Sequence, residues 1–492
     1  MTNENIEQFY VLWRSNLDNL LSGYIYGESG KLRPTRFAYS VLQHYLTRLL
    51  DGRLEDINKI VLLPGIRGVG KTTLLSQLYF FEKYLNPIQN KDLSDNASKL
   101  VNRIYISADK LFSEGFSLND FFKFYEESIA ENFSDANKKT LILIDEIQYD
   151  KNWGLFLKLL YDKTKGHKNV LIIATGSSAL MLNRQNADLI RRSTVEEIFP
   201  LKFVEYLLLR SNIFPQKGLS QEIKSALFFS DTAKGAYAKL QNLEKKVFAA
   251  WSEVQESEIA KKRYFEVGAF PFALDIASAT LAMDRIRDML LVNIAQKDLI
   301  SLGDFDAETL VKIPDLLYLL ASSDEITTGK ISGALKINER TLSKALNALL
   351  RAEIIFEILP YGRPYSQIKK SAKYLFIAPS IRISLLSAII PAGLAGKTLE
   401  DYMALVFAEE LSKDAQFFYD YSSGGADFII RFKDKSEIVL EVGLGKETIG
   451  QVLDTLKKTE GRGKYGMVIG SGKAELANDD VLKVPLEYIL LM

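Results

Sequence analysis

Lys59-Ile60-Val61-Leu62-Leu63-Pro64-Gly65-Ile66-Arg67-Gly68-Val69-Gly70-Lys71-Thr72-Thr73 is the stretch on which the reading of this chain turns. Lys59 to Leu63 is a short, mostly apolar run that suits a buried strand, and Pro64-Gly65 stops it. From Gly65 onward the residues fit G-x-x-x-x-G-K-[ST]. Glycines in such a loop let backbone N–H groups converge on a phosphate, where a Cβ would intrude. A helix opening at Lys71 adds the partial positive charge of its N-terminus. Lys71 then places a compact cation on the β- and γ-phosphates of a nucleotide, and the Thr72 hydroxyl ligates Mg²⁺. The expected nucleotide-binding set is Gly65, Arg67, Gly68, Val69, Gly70, Lys71, Thr72 and Thr73. A chance glycine turn with Lys-Thr would lack the strand before it and the helix after it; both patterns are present here.

Outward from this loop, three further apolar runs read as strands: Arg103 to Ser107, Leu141 to Ile144 and Val170 to Ala174. Helical patterns lie between them, from Thr72 to Leu85 and from Leu118 to Asn132. That alternation predicts a parallel sheet covered on both faces. The run ending at Ile144 delivers Asp145 and Glu146 at its carboxyl end, where ligands of open α/β sheets bind. Asp145 is expected to hold Mg²⁺ through its water shell, and Glu146 to orient and deprotonate the attacking water. The next run ends in Ala174-Thr175-Gly176-Ser177-Ser178, where a hydroxyl could reach between the γ-phosphate and that water. Thr175 and Ser177 are equally placed for this sensor role.

At 492 residues the chain exceeds one hydrophobic core and suggests about three domains. Lys plus Arg balances Asp plus Glu at 62 each, so any basic surface must be local. The absence of cysteine excludes disulfides, thiolate zinc and a cysteine nucleophile. The N-terminus shows no signal-peptide pattern, and no stretch reaches the ~20 apolar residues of a membrane span. The expectation is a soluble, cytoplasmic protein without a membrane partner.

Residues 1–58 read as helical, 59–200 as the P-loop core and 201–305 as a helical lid, including a polar helix over roughly 236–262. Within 306–378, Ile331 to Leu335 and Glu339 to Ala352 read as helices, with Asn338 as N-cap of the second. Ile354 to Leu359 and Lys373 to Ile377 read as strands. Helix, turn, helix and hairpin in that order describe a winged helix. Arg340, Lys344 and Arg351 on its second helix, with Arg363, Lys369, Lys370 and Lys373 by the hairpin, are candidate phosphate contacts for DNA or RNA. The same residues would also suit a solvated face used for protein contacts. Residues 379–492 read as an α/β unit, with a helix from near Thr398 and strands at Asp427 to Phe432, Ile438 to Val442 and Tyr465 to Ile469.

Taken with the loop, Asp145-Glu146-Ile147-Gln148, Thr175-Gly176-Ser177-Ser178, Phe199-Pro200-Leu201-Lys202-Phe203-Val204-Glu205 and Tyr264-Phe265-Glu266-Val267-Gly268-Ala269-Phe270-Pro271 resemble one group of prokaryotic AAA+ ATPases. Ala269 stands where that group has a second glycine. The resemblance implies an α/β fold: a P-loop (AAA+) parallel sheet core with helical lid, followed by a winged helix and a small α/β nuclease-like domain. It implies ATP and Mg²⁺ as ligands, a homo-oligomer, and an arginine that completes the site of a neighbouring subunit. Arg191 and Arg192 lie in the matching region, with Arg184 as runner-up.

Gly424-Gly425-Ala426-Asp427-Phe428 followed by Ile438-Val439-Leu440-Glu441 resembles the PD-(D/E)XK nuclease core, which implies metal on Asp427 and Glu441 with Glu400 and Gln451 as helpers. The family's lysine position is Gly443 here, which supplies no cation. The expectation is therefore no robust nuclease activity, unless the Gly443-Leu444-Gly445 turn folds Lys446 back over the acids. The leading functional expectation is an ATP-driven switch with a nucleic-acid-facing C-terminal half. An ATP-gated nuclease and an ATP-regulated protein scaffold are the alternatives.

Overall fold

Parallel pairing and the full burial of two of its central strands, Ile60–Pro64 and Val170–Gly176, decide the first sheet. In the computed structural model, which describes residues 3–28, 30–54, 57–84, 101–129, 139–165, 168–177, 189, 191–292, 307–323, 327–362, 370–386 and 394–492, the chain divides into two compact units, 1–198 and 199–492. The first is built on β1 (Ile60–Pro64), β2 (Val101–Ser107), β3 (Lys139–Asp145), β4 (Val170–Gly176) and β5 (Ser193–Val195), ordered β2-β3-β4-β1-β5 and parallel throughout. The four expected strands are all present. β5 escaped the sequence reading because three residues, only one of them buried, make no apolar run.

Every residue of β1 and β4 is buried, which is why their sequences lack the alternation of a one-sided strand. Helices supply the cover: α1 (Asn3–Ile25), α2 (Phe37–Asp51), α3 (Lys71–Tyr79), Leu118–Ser128 and Trp153–Lys163. Each fully buried Leu, Ile or Phe in such a core contributes about 1.5–3 kcal/mol. α1 packs on α3 and on Leu118–Ser128. From α1, Trp13 donates its indole N–H to the Tyr105 carbonyl at 3.0 Å and stacks on the Tyr105 ring at 6.2 Å. The register sets Asp145 beside Ser107 and Leu63 beside Thr175, so the carboxyl ends of β1, β3 and β4 finish at one edge of the sheet.

The second unit opens with helices, and no strand occurs among its described residues from 201 to 292. The polar helix expected over 236–262 is two helices, Ala233–Ser252 and Ser257–Arg263, broken at Glu256 with φ 50°. Thr328–Leu335 and Glu339–Arg351 follow, and the Asn338 side chain caps the second by accepting from the Thr341 N–H at 2.8 Å. That helix buries Leu342, Leu346 and Leu349 and turns Arg340, Lys344 and Arg351 to solvent. β6 (Ile355–Pro360) and β7 (Lys373–Phe376) pair antiparallel, while Arg363 and Lys369 lie outside the described residues.

β8 (Ala415–Tyr419), β9 (Phe428–Phe432), β10 (Glu437–Val442), β11 (Gly463–Ile469), β12 (Glu475–Asn478) and β13 (Val481–Val484) complete a mixed sheet ordered β12-β13-β11-β10-β9-β8-β6-β7. The hairpin joins it through β6 and β8, which set Leu359 beside Phe418 and Pro360 beside Tyr419. Hairpin and C-terminal strands thus share one sheet. Two sequence motifs also meet in this unit: Leu201 donates its N–H to the Ala269 carbonyl at 2.8 Å, and the Tyr264 hydroxyl donates to the Leu201 carbonyl at 2.7 Å. Lys202, buried, pairs with Glu410, lies 3.4 Å from Glu409 and donates to the Met492 backbone oxygen at 3.1 Å.

Candidate nucleotide site and C-terminal acid cluster

The loop between β1 and α3 has the backbone its glycines allow. Gly68 and Gly70 sit at φ 84° and 90°, in the left-handed region that side chains avoid. A Cβ on Gly65 would come within 2.5 Å of the Ile198 carbonyl oxygen, so only glycine fits there. Lys71 is buried, and its ammonium donates to the Gly65 and Ile66 carbonyls at 2.7 and 3.2 Å, across the mouth of the loop. Thr72 and Thr73 follow on the first turn of α3. Arg36, which sequence reasoning missed, donates to the Val69 carbonyl at 2.6 Å. It precedes α2, and no local motif singles it out.

Asp145 is the hub of the site. Its Oδ2 accepts from the Thr72 hydroxyl at 2.7 Å and from the Tyr105 hydroxyl at 3.0 Å, while Oδ1 accepts from Thr175. Burial pushes this carboxyl up and neighbouring Glu146 adds to that, against the three hydroxyls that stabilise the anion. Glu146 itself adopts φ 50°, a conformation that costs a non-glycine residue about 1–2 kcal/mol. Its backbone N–H donates to Thr175 Oγ1 at 3.1 Å. The Glu146 carboxylate, one-fifth exposed, accepts from Gln148 and lies 4.0 Å from Arg67.

These contacts separate the two hydroxyls that the sequence left equal. Thr175 both donates to Asp145 and accepts from Glu146, so it ties the two acids together. Ser177 is buried, and among the described residues its hydroxyl has no hydrogen-bond partner. Tyr105 is the other residue missed; its signal was a tyrosine between two isoleucines in the strand next to the acidic one. Arg192 pairs with Asp162 at 3.3 Å and lies over the Tyr161 ring, whereas Arg191 is exposed. Arg184 and Ser178 lie outside the described residues.

In the second unit, Asp427 and Glu441 are adjacent: Glu441 Oε2 accepts from the Asp427 N–H at 3.2 Å, and Asp427 Oδ2 accepts from the Val442 N–H at 2.9 Å. Lys446 does fold back, and its ammonium pairs with Glu441 Oε1. A Cβ on Gly443 would sit 3.2 Å from Lys446 Cδ, a tight contact that the lysine stem would have to relieve by a few tenths of an ångström. Lys373 at the start of β7 pairs with Glu400 at 2.6 Å and lies 3.8 Å from Asp427. Sequence reasoning had given Lys373 only to a basic surface. Gln451 reaches the Gly425 carbonyl at 3.5 Å and not the acids. Burial, then Asp427, push Glu441 up to about 7, while Lys446 opposes them. Burial would also raise Glu400, but Lys373 and Lys397 outweigh it and hold it low. Among the described residues no group of three or more His, Cys, Asp or Glu could hold a metal ion. Asp427 and Glu441, the two acids expected to hold metal, accept from the Val442 and Asp427 backbone N–H groups, and Glu441 also pairs with Lys446.

Residues 57–207 match the model of the AAA domain. Residues 260–389 match a domain of unknown function (DUF8612). An uncharacterized protein of Methanocaldococcus jannaschii is 33% identical over 465 residues, which is 93% of this chain and 89% of that one. The chain belongs to that protein's family. An uncharacterized protein of Haemophilus influenzae is 23% identical over 354 residues, 69% of this chain and 72% of its own. Among solved structures, the Aeropyrum pernix ORC1 protein in complex with DNA is similar at 12% identity and TM-score 0.33, over 72% of this chain and 94% of that one. The AAA domain coincides with the first sheet and its phosphate loop. Among the described residues of this family member, no helix is long and apolar enough to cross a membrane.

Proposed function

We propose that the first unit binds and hydrolyses ATP and that the second presents a nucleic-acid-facing surface controlled by that cycle. The observation that carries the ATPase reading is the convergence on Asp145 of Thr72 from the phosphate loop and Thr175 from β4, beside a Glu146 carboxylate that remains partly exposed. Incoming phosphates would exchange the carbonyls now holding Lys71 for charged oxygens, a stronger hydrogen-bond partner. Thr72 and Asp145 are hard oxygen donors 2.7 Å apart, which fits Mg²⁺. That ion, when bound, neutralises charge on the β- and γ-phosphates. Glu146 takes the proton of the attacking water, Thr175 fixes the two acids, and Ser177 keeps a hydroxyl available as sensor. The parts 1–58, 59–200, 201–305, 306–378 and 379–492 are the proposed functional divisions, in a cytoplasmic homo-oligomer.

Phosphate-release assays decide this reading. Lys71→Ala should abolish ATP binding in a calorimetric titration, and Glu146→Gln should retain binding while turnover falls by about 10² or more. A fall of less than about threefold would remove Glu146 from the role of base.

For the second unit, the exposed Arg340, Lys344 and Arg351 support a winged helix used on DNA or RNA. DNA retention should weaken steeply with salt and with Arg340→Ala. One contact, Lys446 on Glu441, favours a second reading as a metal-dependent nuclease. Strand cleavage with Mg²⁺ or Mn²⁺ that is lost in both Asp427→Ala and Lys446→Ala, yet kept in Lys71→Ala, would establish it.

A further inference from the structure

A cavity of about 220 Å³ lies within the second unit, walled by β7 and the residues just before it, by Tyr419 of β8 and by helical Leu320, Arg382 and Lys397, and neither the ATP site nor the acid pair accounts for it. Lys370, Lys373, Lys397 and Arg382 line it, together with Tyr421 and Thr327. Three carboxylates offset these four cations, one of them Asp427, 3.8 Å from Lys373. Glu400 pairs with Lys373 at 2.6 Å and lies 3.4 Å from Lys397, and Asp401 pairs with Arg382, which is buried. The lining therefore keeps a surplus of positive charge. Lys370 is exposed, and among the described residues no carboxylate lies within ion-pair distance of it; its ammonium sits 5.1 Å from the centre of the Tyr421 ring. Thr327 caps the N-terminus of Thr328–Leu335, so the partly positive end of that helix adjoins the same space.

We infer that this cavity binds the phosphate monoester of a nucleotide, either free or at the end of a strand. Size supports a fragment: the volume is below the ~300 Å³ at which pockets for whole drug-sized ligands begin, and a phosphoryl group fits. Lys370, Lys373 and Lys397 supply the charge-assisted donors. Tyr421, 41% exposed, offers its ring to a base. Lys373 gives the site its consequence, because the same ammonium lies 3.8 Å from Asp427. A phosphate drawing on Lys373 weakens its hold on the acid cluster, which ties occupancy of the cavity to the state of those carboxylates. The inference deepens the nucleic-acid reading of the second unit and is independent of the ATPase.

The test uses the full chain carrying Lys71→Ala, so that nucleotide does not bind at the P-loop. Fluorescence anisotropy compares 3′-labelled thymidine decamers with a 5′-phosphate and with a 5′-hydroxyl. The phosphorylated strand should bind about tenfold more tightly. Lys370→Glu should remove that preference and Lys370→Gln should reduce it; Lys370 is exposed, so neither change touches the core. Tyr421→Ala should weaken the phosphorylated strand several-fold. AMP that displaces the labelled strand as well as unlabelled phosphorylated strand does identifies a free nucleotide as the ligand. Displacement by the strand alone identifies a strand end. Equal affinity for the two decamers with no competition by AMP, or a preference that survives Lys370→Glu, overturns the inference. Salt-dependent strand binding that ignores the terminal phosphate would overturn it while leaving the winged-helix reading intact.

Discussion

Tyr105 shows how a site reaches beyond its motif. Its hydroxyl holds Asp145 Oδ2 at 3.0 Å, and its backbone carbonyl and ring are held in turn by Trp13 of α1. The N-terminal helix is thus connected to the Mg²⁺-binding carboxylate of the proposed site through two aromatic residues. Tyr105→Phe removes one of the three hydroxyls that stabilise the Asp145 anion, and burial then opposes ionisation more effectively. ATP affinity should stay within about threefold while turnover drops several-fold, a drop made good by raising Mg²⁺. Unchanged turnover at limiting Mg²⁺ would make Tyr105 a packing residue only. The loop lysine and the acidic pair were legible from sequence because their chemistry is confined to a few consecutive residues. Tyr105 and Arg36 were not, because each reaches its target from a different element.

Among the elements, the two motifs of the second unit explain each other. A Cβ on Gly268 would come within 2.8 Å of the Tyr206 ring, so this glycine is a close-packing position between the turn at Tyr264–Gly268 and the helix Phe203–Ser211. Gly268→Ala should cost about 1–3 kcal/mol in a denaturant titration, with the slope of the transition unchanged. No loss would mean that Tyr206 swings aside. Near them, burial raises Glu410, but Lys202 and Lys224 more than offset that and hold its carboxyl below the ordinary range. A depressed acid contributes stability that is fully present above its unfolded value, about 4.3, and lost as pH falls through the lower folded value. Wild type should therefore exceed Glu410→Gln in Tm at pH 6, and the gap should close as pH falls below about 4. A constant gap would assign the pairing no role in acid sensitivity. Lys202 and Glu410 are 208 residues apart, which is why the sequence presented Lys202 only as one letter of a motif.

Across the whole molecule, assembly is the property to test. Arg192 is occupied within its own unit by Asp162, while Arg191 is exposed, so Arg191 is the better candidate to act on a neighbouring copy. Arg191→Ala should bind ATP normally and turn over slowly, by about 10³ if it stabilises the transition state as such arginines do. Mixing it with Glu146→Gln should restore activity at hybrid interfaces, and no recovery in proven mixed oligomers would confine Arg191 to its own chain. The sequence by itself determined the parallel core, the phosphate loop, the acidic strand end and the helix-turn-helix with its Asn338 cap, because strand burial, glycine turns and caps are properties of consecutive residues. Only the tertiary structure decided that Thr175 ties Asp145 to Glu146, that Lys446 crosses Gly443 to reach Glu441, and that β6 joins the C-terminal sheet through β8. Each of these is a pairing between distant segments, fixed by register and by the direction of a side chain, and neither is encoded in a local pattern.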